Sequence, residues 1–426
     1  MKLKVVRNKF LNFYKKKKHI IMPHINLKLN ENKLMFVNSG MIQFKKFFLG
    51  RKSKYKRICN VQPCFRVSGK HNDFEKIGYT NIHHTLFEML GNWSFRNYFK
   101  YDALFWTWEL LINKFKINEK KIWITIHEND FETYNIWRKI GISNKRIIKK
   151  KNIKKKFFLN ENFWEISNNN GPCGTCSEIF YDMGKKYKLK NQRYVEICNN
   201  VFLQYKKKLY NNKYILNKLK YNYIDVGIGL ERLTSILQNV NSNYKIDLFK
   251  KIINKISDKI KIKNINSLKI ISDHIRSACF LISEKIYPSN NKHGYILRKI
   301  IRRAIREGYK SNIKNPFFYK ISSILIKEME DFYPFLKKNK NNIKNVIKKE
   351  EEKFFNIYKI GIRILNNELK KCSKKLDGKF AFKLYDTYGF PIELLEDICL
   401  KNKILIKKKE FFYEMNKQKN NFLNRN

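Results

Sequence analysis

Asp225-Val226-Gly227-Ile228-Gly229-Leu230-Glu231-Arg232-Leu233 reads in two halves. Asp225 to Gly229 has the alternation of a strand, and glycine inside a strand usually marks a place where a ligand or another backbone comes close. From Leu230 onward the Glu-Arg pair enters a helix. Taken alone, a bulged strand running into a helix capped by charges fits equally well. A second junction lies upstream, in Gln62-Pro63-Cys64-Phe65-Arg66-Val67-Ser68-Gly69-Lys70-His71-Asn72-Asp73 followed by Ile82-His83-His84-Thr85-Leu86-Phe87-Glu88-Met89-Leu90-Gly91-Asn92. Two strand-like runs flank a polar turn. An Arg that ends one strand can lie along a phosphate, while a loop of Gly, Lys, His and Asn offers further donors to the same anion. A plain Gly-Lys turn between strands is the alternative.

Around these junctions, residues 1 to about 245 mix short apolar-aromatic runs with Gly, Pro and Asn, which reads as a sheet with helices packed beside it. Beyond that point the pattern becomes helical, so the fold class is α+β. From Tyr295 to Arg306, Leu297, Ile300, Ile301, Ala304 and Ile305 share one helix face, and Arg298, Arg302 and Arg306 lie on the other. A long amphipathic helix is expected from Ile343 to Leu369, with Ile343, Val346, Ile347, Phe354, Tyr358, Leu365 and Leu369 as its apolar stripe and its Lys and Glu residues as a solvated face. A chain of 426 residues exceeds one ordinary core, and roughly 100–200 residues per domain gives two or three units.

Lys and Arg number 91 against 36 Asp and Glu, a formal charge of +55 that favours a polyanionic partner. Lys, Asn, Ile, Phe and Tyr are also over-used in segments without any motif, so a compositional bias in the gene accounts for part of that charge. The eight Cys show no disulfide framework. The basic start lacks the apolar core of a signal peptide, and no stretch approaches 18 uncharged apolar residues, so a cytoplasmic protein with no membrane contact is expected. Cys173-x-x-Cys176 has half the spacing of a tetrahedral zinc site, but no second pair follows, and a protein zinc site is not expected.

Together the two junctions resemble the second and third signature motifs of class II aminoacyl-tRNA synthetases: an Arg-ended strand, a loop and a return strand with His83 and Phe87 four apart, then Gly-x-Gly-x-x-Glu-Arg at residues 227–232. Further stretches narrow the resemblance to the alanyl-tRNA synthetase family. They include Val37 to Phe44, Asn162-Phe163-Trp164, Gly171 to Asp182, Asn241 to Tyr244, Ser272 to Ser277, Pro288-Ser289-Asn290 and Tyr385 to Pro391, in collinear order over essentially the whole chain.

The resemblance implies a class II antiparallel β-sheet flanked by helices at residues 1–245, followed by an α-helical domain at 246–426 that recognises the tRNA acceptor stem. It implies activation of L-alanine by ATP with Mg2+, and transfer to the 3′ end of tRNA(Ala). On this likeness Arg66 would hold the α-phosphate and Arg232 the γ-phosphate. Adenine would stack against Arg232, with Phe87 or Met89 on its other face, and Lys70, His71 and Asp73 belong to the loop that senses ATP. Glu231 completes the ATP-site set. Asp225 would pair with the alanine ammonium, Trp164 and Val201 would wall the side-chain pocket, and Gly227 would floor it. Asn290 and Asp386 fall where the family reads a G·U wobble through its minor-groove amino group, and Arg298 and Arg302 would track the adjacent phosphates.

The sequence also departs from the family. The expectation is that the family's editing and C-terminal domains are absent, and with it no cis-editing, measurable mischarging with serine or glycine, and a monomer. Val226 stands where a Thr is usual and Cys198 where a Trp is usual, which bears on the shape of the alanine pocket.

Overall fold

The structure, a computed structural model, describes residues 1–29, 34–67, 72–152, 161–165, 171–187, 193–210, 213–313, 315–372 and 374–423. The chain divides into two compact units, Met1–Lys255 and Ile256–Asn426.

The first unit is built on a nine-stranded sheet in the order β1-β2-β3-β9-β8-β7-β4-β5, with β6 paired to β7. The strands are β1 (Ile20–Ile21), β2 (Arg57–Phe65), β3 (Leu86–Phe95), β4 (Ile122–His127), β5 (Ile147–Lys150), β6 (Phe163–Glu165), β7 (Gly171–Asp182), β8 (Tyr194–Tyr210) and β9 (Lys213–Gly229). Its centre is antiparallel, and only the outer pairs β1/β2 and β4/β5 are parallel. Pro63 sits within β2, where its missing N–H would break an inner ladder. Among the described residues the outer flank of β2 carries no strand at that point, since β1 pairs only with Ile58 and Cys59. There the Gln62 side chain takes a strand's place, accepting from Ile25 N and donating to Ile25 O at 2.9 Å each.

Helix α1 (Leu3–Lys16) buries Leu3, Val6, Phe10, Phe13 and Tyr14, the spacing of a one-faced helix. The sheet is further flanked by α2 (Lys100–Trp108), α3 (Phe131–Ile140) and α4 (Leu230–Leu237). The alternation predicted for Asp225–Gly229 is the end of β9, and Leu230 opens α4 directly. Helix α5 (Asp247–Ile260) carries the division between the units.

The second unit is helical: α6 (Ile265–Ser283), α7 (Lys292–Lys310), α8 (Phe318–Met329), α9 (Lys340–Leu369), α10 (Gly378–Tyr388), α11 (Ile392–Lys401) and α12 (Lys408–Leu423), with a short parallel pair β10 (Lys375–Leu376) and β11 (Leu405–Ile406). Helix α6 is buried from Ser267 to Leu268 and from Ile270 to Ile282, as suits the centre of a bundle. In α7 the apolar stripe Leu297, Ile300, Ile301, Ala304 and Ile305 is fully buried, as its spacing predicts. No described helix is long and apolar enough to cross a membrane.

One expectation fails in α9. Its charges are not all a solvated face, because Glu350 and Glu351 are buried. Glu351 accepts from the backbone N–H groups of Phe317, Phe318 and Tyr319 at 2.7, 2.8 and 3.1 Å. It thereby satisfies the orphan donors at the start of α8, where a negative charge also complements the helix dipole. Glu350 accepts from Arg302 Nε at 2.8 Å, and Arg298 Nε lies 3.4 Å from the same oxygen.

Candidate active site

The register of the central strands collects the candidate residues on one face of the sheet. Met89 pairs with Gly229, Gly91 with Gly227 and Trp93 with Asp225. On the other side of β9, Asn199 pairs with Gly227 and Val201 with Asp225, and Val201 in turn faces Cys176 of β7. Directly paired residues in a sheet share a face, so these side chains point the same way.

At the middle of this face the Trp93 indole Nε1–H donates to Asp225 Oδ1 at 2.6 Å. Trp93 can lie flat because Gly91 lacks a Cβ: one built there would stand 2.2 Å from the indole. Val201, Trp93 and Cys176 belong to one apolar cluster, against which Trp164 packs half-buried. Gly227 makes room for Met89, since a Cβ there would stand 3.2 Å from Met89 Sδ. Met89 is held in place by Gly40, whose N–H donates to its sulfur at 3.3 Å. Burial pushes the Asp225 carboxyl up to about 7, with the Trp93 hydrogen bond acting in the opposite direction. The result is one carboxylate set against largely apolar side chains.

A cationic group lies at the end of the same strands. Arg66 follows β2, its guanidinium 4.7 Å over the Phe87 ring and its Nε donating to Asn38 O at 3.1 Å. Burial lowers its pKa, and among the charges acting on it are Asp73, Arg232 and Glu196. Asp73 N donates to Arg66 O at 3.2 Å, and Asp73 Oδ1 takes Lys76 Nζ at 3.0 Å with His83 Nε2 at 3.8 Å. Burial also brings His83 down to about 4, so its ring is neutral near pH 7. Arg232, in the first turn of α4, donates to Glu196 O at 2.9 Å and to Glu196 Oε2 at 3.4 Å. This pair is partly exposed, so it contributes little stability, about 0–1 kcal/mol, and is easily exchanged.

Glu231 is engaged by the backbone of β3. The β3/β9 ladder ends at Met89 and Gly229, and the next β3 donor, Glu88 N–H, goes to both Glu231 oxygens at 3.1 Å each. With 1% exposure, the Glu231 carboxylate fixes the strand end and the helix start. Lys70 and His71 lie outside the described residues.

Sequence reasoning overlooked several residues of this face: Trp93, Asn38, Glu196 and Glu178. Glu178 lies on β7, accepts from Thr125 Oγ1 at 3.2 Å, and is pushed up to about 8 by burial and then by Glu196. Each acquires its partner through pairings between distant segments, although Asn38 and Glu178 lie within stretches that carry the resemblance. Cys173 and Cys176 are both buried on β7, and Cys173 Sγ–H points at Tyr205 O. Among the described residues no group of three or more His, Cys, Asp or Glu side chains could hold a metal ion.

In the helical unit, Asn290 lies just before α7 and its Oδ1 accepts from Arg298 Nη1. Both Arg298 and Arg302 are turned onto Glu350. Asp386 lies within α10, where its Oδ1 accepts from Gln418 Nε2 at 2.8 Å. Asn290 is not a helix cap, since Asn291 holds that position.

An antiparallel sheet that carries an Arg-ended strand, a glycine-lined strand entering an Arg-bearing helix, and both arginines in one electrostatic group defines the class II synthetase fold. The chain belongs to the family described as tRNA synthetases class II (A), which matches residues 5–425. Among characterised relatives it is similar to proteins named alanine–tRNA ligase. That of Wigglesworthia glossinidia brevipalpis is 50% identical over 97% of this chain and 49% of its own length. That of Buchnera aphidicola subsp. Schizaphis graminum is 47% identical over 97% and 48%, and that of Ralstonia nicotianae is 43% identical over 98% and 50%. The chain spans about half the length of these relatives.

Proposed function

We propose that the chain activates L-alanine with ATP and transfers it to the 3′ end of tRNA(Ala). The observation that carries this reading is the pairing of Trp93 with Asp225 beside Val201, Trp164 and Gly227, on the sheet face whose end bears Arg66 and Arg232. The named relatives support the choice of amino acid. Asp225 receives the ammonium group, and the apolar side chains of Val201 and Trp164 meet the methyl. The alanine carboxylate attacks the α-phosphorus of ATP; the new C–O–P link forms as the bond to pyrophosphate breaks. Arg66 neutralises charge developing on the α-phosphate, which is catalysis by positioning and preorganised charge. Arg232 holds the γ-phosphate, exchanging its Glu196 contact for it. Glu196 and Glu178 would be the side chains placed to hold a Mg2+ arriving with ATP, which would neutralise phosphate charge, with Glu178 giving up its proton on binding. Lys70, His71 and Asp73 belong to the loop that senses ATP, and Phe87 or Met89 borders the adenine.

For the tRNA, Asn290 and Asp386 supply acceptors for a minor-groove amino group, and Arg298 and Arg302 meet phosphates in competition with Glu350. The test is charging of tRNA(Ala) with labelled alanine, glycine and serine. One small group distinguishes these amino acids by about 1–3 kcal/mol, so alanine is charged roughly 5- to 150-fold more efficiently. No charging with alanine, or a preference for glycine or serine, would overturn the proposal.

A further inference from the structure

The strands β8 and β9 are 17 residues each, longer than their neighbours require. β3 accompanies β9 only over residues 223–229, and β7 accompanies β8 no further than Lys207. Beyond that point Lys208, Leu209 and Tyr210 pair with Ile215, Tyr214 and Lys213 alone, a two-stranded ribbon among the described residues. From Glu196 to Asp225 the intervening sequence contains no acidic residue.

The two faces of the ribbon differ. On one, Lys207 is neutralised by its own chain: its Nζ lies 2.7 Å from Glu165 Oε2 and 4.1 Å over the Tyr214 ring. The other face presents Lys206, Lys208, Tyr210, Ile215 and Asn217. Tyr210 is 64% exposed and Ile215 40% exposed, and no described carboxylate pairs with Lys206 or Lys208. Exposed ring, exposed apolar surface and unneutralised ammonium groups alternate over about 13 Å of strand.

We propose that this face of the β8/β9 ribbon binds an unpaired RNA strand, with Tyr210 stacking on a base and Lys206 and Lys208 meeting adjacent phosphates. Aromatic platforms interleaved with cations are the means by which proteins hold single strands without reading sequence. A ribbon two strands wide, with strands about 5 Å apart, offers a platform for one strand rather than a seat for a duplex. The absence of any acidic residue along it supplies the charge complementarity. This inference goes beyond the ligase reading, in which neither adenylate formation nor acceptor-stem recognition uses the ribbon.

The experiment is fluorescence anisotropy of the full chain with a labelled 12-nucleotide polyuridine across a salt series, with a 12-base-pair RNA duplex and anionic phospholipid vesicles as competitors. Tyr210→Ala weakens polyuridine binding by about 5-fold or more, the effect of losing one stacked base. The double variant Lys206→Gln/Lys208→Gln flattens the slope of log K against log salt by about 1.4, at about 0.7 per lost contact on a single strand. The proposal is overturned if wild type does not bind polyuridine, if both variants bind with unchanged affinity and salt slope, or if duplex or vesicles displace the probe better than unlabelled polyuridine does. Alanine-dependent ATP–pyrophosphate exchange in the same preparations separates the two readings. Exchange retained with ribbon variants that bind normally sinks this inference alone, whereas altered ribbon binding with no exchange in wild type sinks the ligase reading alone.

Discussion

Replacing Asp225 by Asn keeps an oxygen to accept from the Trp93 indole, now 2.6 Å from Oδ1, and removes only the charge. Asp225 is 5% exposed, and its carboxyl is pushed up from 3.8 to about 7 by burial. A rise of roughly 3 units at about 1.36 kcal/mol each means that ionising this group in the free protein costs up to about 4 kcal/mol. The sign follows from proton counts: between about pH 4 and 7 the unfolded chain has released the proton while the folded chain keeps it, so stability falls as pH rises through that window. The isosteric amide carries no such burden. Asp225→Asn is therefore at least as stable as wild type at pH 8 by thermal melting, with the difference shrinking toward pH 4. Binding moves the other way. An ammonium group buried against an amide instead of a carboxylate loses about 3–5 kcal/mol, so kcat/KM for alanine in ATP–pyrophosphate exchange falls at least about 100-fold. A variant with kcat/KM within threefold of wild type, or one that melts well below it at pH 8, would refute this reasoning.

Three further predictions follow from the same contacts. Because the ammonium needs the ionised form of a group near 7, KM for alanine rises about tenfold per pH unit as pH drops below that value, as measured by exchange from pH 8 to 5.5; a flat profile would contradict the assignment. Gly91→Ala places a methyl 2.2 Å from the Trp93 indole. The clash costs about 1–3 kcal/mol of stability and swings the indole off Asp225, so alanine KM rises more than ATP KM; equal changes in both would count against it. Glu351→Ala strips an acceptor from three N–H groups at the start of α8. Denaturant unfolding should show a loss of about 1–3 kcal/mol, with Glu351→Gln losing less, and an unchanged midpoint for Glu351→Ala would show that the cap does not matter.

How much of this was legible before the structure depends on sequence distance. The glycine alternation at 225–229 and the Glu-Arg helix start lie within nine residues, so their local pattern carries both the strand and its turn into α4. The apolar stripe of α7 is likewise local. The partner of Arg232 is not, since Glu196 lies 36 residues away on another strand. Trp93 meets Asp225 only because of the register between β3 and β9, across 132 residues. Glu350 and Glu351 misled for a related reason: a charge run reads as solvated unless its partners are known, and those partners are two arginines of α7 and the backbone of α8. Glu231 sits inside the legible motif, yet its bond to the Glu88 backbone becomes apparent only once the end of the β3/β9 ladder is located.

In the proposed reaction Arg66 and Arg232 serve the α- and γ-phosphates of ATP for an alanine held by Asp225. Alanine-dependent ATP–pyrophosphate exchange tests it most directly, comparing wild type with Arg66→Ala and Arg232→Ala after melting curves establish that each is folded. Wild type should show exchange that requires alanine, and either variant should lose at least about 100-fold, the scale of removing one preorganised charge from a developing anion. Wild type without exchange, or a folded Arg66→Ala that exchanges at the wild-type rate, would contradict it.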